Sequence, residues 1–107
     1  MPDARVVLTT VGDRESAGKI ADELVQRRLA ACVYIAGPIQ SVYRWKGAVE
    51  RAAEYLLIIK TTAMQASRLQ EAFKELHPYE LPEHLELSVE GGSEAYLSWI
   101  AGEVQEE

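Results

Sequence analysis

The stretch CVYIAGPIQSVYRWKGAVERAAEYLLIIKTT, residues 32–62, decides the fold. Both halves are rich in β-branched and aromatic residues, and Lys46-Gly47-Ala48 between them is a turn signal, so the whole reads as one long β-hairpin. In the first half Ile39, Ser41, Tyr43 and Trp45 share one face, while Gln40, Val42, Arg44 and Lys46 share the other. Gly37-Pro38 interrupts that half and predicts a bulge or bend. The second half turns fully apolar at residues 56–59. A hairpin this long predicts arms that overhang whatever core a single helical layer covers.

Upstream, RVVLTTV (5–11) is an apolar, β-branched run that reads as a strand buried on both faces. Gly12 breaks it and Asp13 is placed to cap a helix whose stripe is Ala17, Ile20, Ala21, Leu24 and Val25. Arg27 and Arg28 suit the negative end of that helix. Downstream, Thr62-Ala63-Met64-Gln65 has the form of a capping box, followed by the stripe Ala66, Leu69, Ala72, Phe73 and Leu76. Pro78 stops this second helix. Residues 83–90 alternate, with Leu85, Leu87 and Val89 on one side and His84, Glu86, Ser88 and Glu90 on the other, as in a further strand. Gly91-Gly92 turns the chain, Ser93 caps a last helix carrying Tyr96, Leu97, Ile100 and Val104, and the polar tail is expected to fray.

The order is strand, helix, strand, strand, helix, strand, plus an appended C-terminal helix. This predicts an α+β fold, the ferredoxin-like split βαβ arrangement, with an antiparallel sheet and two helices on one face. The other face is left in want of cover; the small C-terminal helix is placed to supply some, and the aromatic residues of the hairpin suggest that another subunit supplies the rest. The 107 residues suffice for a single domain, 1–107, with one modest core.

Composition narrows the function. A formal net charge of −6, with no basic run beyond Arg27-Arg28, disfavours nucleic acid and anionic membrane surfaces. No apolar run is long enough to span a bilayer, and the N-terminus lacks the pattern of a signal peptide. The single Cys32 has no partner for an internal disulfide. The expectation is a soluble cytoplasmic protein.

LAACVYIAGPIQSVYRWKG, LLIIKTT, ELHPYELPE and YLSWI, in this order and spacing, closely resemble the CutA family, the divalent-cation tolerance proteins. The resemblance runs from the first strand to Ile100. It implies a ferredoxin-like subunit in a tight homotrimer, with the long hairpins paired across subunits, no established enzyme activity, and a trimer like that of the PII signalling proteins. It also implies a link to divalent metals, with copper binding proposed for some members, and singles out His77, the histidine before Pro-Tyr, as a candidate ligand; Cys32, and His84 close by in sequence, are the further candidate metal ligands. Where the family's copper reading has a cysteine on the first strand and a further histidine before His-Pro-Tyr, this chain has Thr9 and Leu76.

Each candidate also has an ordinary reading. His77 sits where a helix C-cap would sit, bonding a free carbonyl or the dipole. Cys32, in an apolar setting, reads equally as core or interface filler. Lys60 ends an apolar strand and either extends its charge to water or, with Trp45, Tyr79 and His77, lines a ligand cleft between subunits. The leading expectation is a non-enzymatic homotrimer binding a divalent metal ion or small ligand in such clefts. The alternatives are a structural or PII-like trimer acting through a protein partner, and a hydrolase of the acylphosphatase kind. The last is disfavoured because Asp13 and Glu15 flank Arg14 in the loop where an anion would bind.

Overall fold

The structure is a computed structural model and describes residues 3–105. Its elements are β1 (Ala4–Val11), α1 (Arg14–Gln26), β2 (Cys32–Trp45), β3 (Ala48–Thr62), α2 (Ala63–Leu76), β4 (Leu85–Ser88) and α3 (Glu94–Glu103). They build one antiparallel sheet in the order β2-β3-β1-β4, as the split βαβ reading expected. Lys46 and Gly47 make the hairpin turn, both at positive φ (50° and 83°), which matches the right-handed twist of the arms they join. The register breaks once, between Ala36 and Ile39, where Gly37-Pro38 lies.

One face of the sheet carries the core. Val33 pairs with Ile59 and Ile35 with Leu57, and beside them Val7 and Val11 meet Ile20 and Leu24 of α1 and Leu69 and Phe73 of α2. Buried aliphatic and aromatic side chains of this kind stabilise the fold by about 1.5–3 kcal/mol each. On the opposite face the described residues cover one end, where Leu97 and Ile100 of α3 pack on Ala4. β1 is therefore not buried on both sides: Val7, Thr9 and Val11 are buried, but Val6, Leu8 and Thr10 are only partly so. Leu85 and Leu87, the β4 partners of Leu8 and Val6, are 55% and 49% exposed.

Several local expectations change. α1 ends before the arginines: Arg27 pairs with Glu23 and Glu75, while Arg28 reaches away to α3. There its guanidinium donates to the carbonyls of Glu103 and Gly102, both at 3.0 Å, so it caps a different helix from the one it follows. Thr62 occupies the N-cap of α2 without a side-chain bond, and Gln65 instead donates to the Gln105 carbonyl at 2.6 Å. Gln105 also binds the backbone of Arg27 and Arg28, so the tail is pinned up to that residue; the rest of it lies outside the described residues. β4 is shorter than the alternation over 83–90 suggested.

Candidate functional site

The site begins at the end of α2. His77 is buried, and its own N–H caps the helix by donating to the Phe73 carbonyl at 2.9 Å. Its ring does a second job. Nδ1 accepts the Tyr79 backbone N–H at 3.2 Å, which places the proton on Nε2, facing the Thr10 carbonyl at 3.1 Å and the Thr9 hydroxyl at 3.0 Å. Burial holds the imidazole below its usual pKa, against the opposing pull of the Thr10 carbonyl and Glu54. A neutral His77 thus ties the turn after α2 to the end of β1.

That tie positions Tyr79. Its hydroxyl donates to Glu54 Oε2 at 2.6 Å, across to β3, and burial followed by the Glu54 carboxylate pushes the phenol well above its ordinary pKa. Between this turn and the overhanging hairpin opens a cleft of about 950 Å³. Its walls include Tyr43, Trp45, Tyr79, Glu54, Glu83 and His84. Glu54 shares its sheet face with Ile39, Ser41, Tyr43 and Trp45, the face the two large helices do not cover. Glu83 is raised above the usual carboxylate range, first by burial and then by Glu54. Burial likewise holds His84 low.

Of the residues expected at a ligand site, Trp45 and Tyr79 do meet in this cleft, with His84 beside them and His77 buried behind. Lys60 does not join them. It stands at the other end of the uncovered face, where its ammonium donates to the hydroxyls of Tyr34 at 2.8 Å and Tyr96 at 3.0 Å. Bonds to those hydroxyls raise its pKa. Cys32 is the ladder partner of Lys60 and so is also remote from the cleft.

The three candidate metal ligands are accordingly dispersed. His77 and His84 flank Phe73, ring centroids 5.4 and 5.8 Å away, and Cys32 lies elsewhere on the sheet. Among the described residues no three His, Cys, Asp or Glu side chains converge as a metal site needs. Both nitrogens of His77 are already engaged. A single chain does not fit a tightly held copper ion.

Glu54 is not among the residues the sequence singles out, yet it is only 6% exposed. The available signal was its parity with Leu56 and Ile58, which puts a carboxylate on a largely apolar face.

The family model described as CutA1 divalent ion tolerance protein matches residues 5–103. The chain belongs to this family. It is 46% identical over 95 residues to the divalent-cation tolerance protein CutA of Thermus thermophilus, covering 89% of this chain and 92% of that one. It is 45% identical to the chloroplastic CutA of Arabidopsis thaliana over 89% of its own length, but spans 52% of that longer protein. Among solved structures, CutA1 from Oryza sativa superposes with a TM-score of 0.95 at 39% identity, covering 99% of this chain and 97% of the other. The family reading of the motifs is thereby established.

Proposed function

We propose that this chain is a non-enzymatic CutA protein, linked to divalent-cation tolerance, that works in the cytoplasm as a homotrimer holding a small ligand or metal ion in clefts between its copies. The observation that carries the reading is the long edge strand. β2 runs for 14 residues and, among the described residues, pairs only with β3, which leaves its other edge without a strand partner there. An edge of that length is a hazard unless another chain pairs with it, and closed symmetry supplies the pairing without open-ended growth. Exposed Val42, Tyr43 and Trp45 on the same arm favour the same outcome.

A metal bound under this reading draws ligands from more than one copy, because one chain gathers no complete set. Sedimentation equilibrium at micromolar concentration tests the assembly, with a trimer expected and a folded monomer as the result against it. Copper and zinc titrations of the wild type, His77→Ala and Cys32→Ser test the metal. Modest binding, weakened by the first substitution and unchanged by the second, is expected. Equal binding by all three moves the ligands elsewhere.

A further inference from the structure

We propose that the cleft beside Tyr79 is a site for a small organic cation, an ammonium group carried on an apolar or aromatic body. The inference rests on the reading of this cleft as the ligand site and names the class of ligand. Glu54 is the central observation. It is more than nine-tenths buried and lines the cleft, and Tyr79 occupies only Oε2; Oε1 accepts no hydrogen bond among the described residues. That oxygen keeps contact with solvent, so a donor or a positive charge entering the cleft can reach it.

The surroundings supply no such charge. Glu80 and Glu83 also line the cleft, and its walls include neither lysine nor arginine. Lys46, the cation of the hairpin turn, stays at the rim: its ammonium lies 4.0 Å from Glu80 and 5.6 Å from the Trp45 ring centroid, with the Lys46 and Glu80 side chains largely in water. Glu83 is shifted upward first by burial and then by the charge of Glu54, a repulsion between the two carboxylates. A ligand cation relieves it.

The remaining walls select the kind of cation. A hydrated metal ion needs several convergent oxygen or nitrogen ligands, and these do not converge here. Apart from its carboxylates, His84, Thr10 and Ser41, the cleft is apolar and aromatic, with Trp45, Tyr43 and the Tyr79 ring beside Leu81 and Leu85. Aromatic faces attract ammonium groups and cover their alkyl or aryl bodies, at little gain for a bare metal ion. The ammonium donates to Glu54 Oε1, and the body lies along Trp45.

The test uses the full chain in whatever assembly it forms, with benzylammonium, its neutral analogue benzyl alcohol, and the anion phenylacetate as probes. Binding is followed by calorimetry and by tryptophan fluorescence, with Trp99→Phe leaving Trp45 as the single reporter. Benzylammonium is expected to bind at least tenfold more tightly than benzyl alcohol, with phenylacetate not binding. Glu54→Gln, which keeps an acceptor for Tyr79, is expected to weaken benzylammonium at least tenfold while leaving the far-ultraviolet spectrum and the assembly unchanged. Glu83→Gln provides a second variant should the first fold poorly. Equal binding of benzylammonium and benzyl alcohol, or binding insensitive to both substitutions, overturns the proposal. So does an assembly that takes none of the probes because a neighbouring copy's basic side chain already fills the cleft. Sedimentation of the same samples reports separately on the trimer, so failure of assembly and failure of this ligand class are told apart.

Discussion

His77 shows how one side chain links a helix end to a site. Its neutral form accepts from Tyr79 and donates toward Thr10; a second proton on Nδ1 would remove the first bond. Because burial lowers its folded pKa, the unfolded chain takes up the proton first as pH falls below about 6.5. Stability is therefore full above that value and declines until the folded pKa is reached, below which it levels. His84 adds to the same slope, while Glu83, shifted upward, opposes it as pH rises from the carboxylate range. Urea denaturation at pH 7.5 and 5.5, at one protomer concentration, is expected to show a smaller loss for His77→Gln than for the wild type. An equal loss in both removes His77 as the cause. The histidine itself was legible from its place before Pro-Tyr, and so was the C-cap. The commitment of both ring nitrogens was not, because Thr9 and Thr10 lie 68 and 67 residues away in sequence.

At the scale of elements, caps distinguish what local sequence encodes from what the assembled fold decides. Asp13 accepts the Ser16 N–H at 2.7 Å, whereas Thr62, which has the better-known motif, makes no side-chain bond. Asp13→Ala is expected to cost about 1 kcal/mol and Thr62→Ala only a few tenths, measured by chemical denaturation. Similar losses from the two substitutions contradict this assignment of the caps. Arg28 makes the contrasting case. It stands at φ 60° and delivers its guanidinium to the end of α3, a contact between segments 75 residues apart. Arg28→Gly tolerates that backbone but loses the donors, so amide exchange in α3 is expected to speed up while α1 and α2 stay protected. Uniform acceleration across all three helices counts against a local cap. Apolar patterning, whether a stripe, an alternation or a continuous run, revealed every strand and helix; it left Arg28, Gln65 and the end of β4 unread, because their partners arrive only when the chain closes.

Over the whole molecule, shape carries the argument. The described chain extends 44 × 26 × 21 Å with a radius of gyration of 14.3 Å, against about 13 Å for a compact domain of this length. The excess comes from the hairpin tip, where Val42 and Val49 are 57% and 52% exposed and touch neither core cluster. They lie on one face, because Val42 pairs with Arg51 and Val49 with Arg44 in the same ladder. A lone subunit gains nothing from apolar side chains held there. If copies associate through this arm, burying what remains exposed of both contributes roughly 1.5–3 kcal/mol, and about 1.4 kcal/mol is a factor of ten in affinity. The doubly substituted Val42→Glu, Val49→Glu protein is expected to dissociate at least a hundredfold more readily in sedimentation velocity. Its helices and core should keep their exchange protection, since neither position belongs to them. A double variant that assembles like the wild type would show that the arm's tip lies outside the interface and that the edge of β2 must hold the copies together elsewhere along its length.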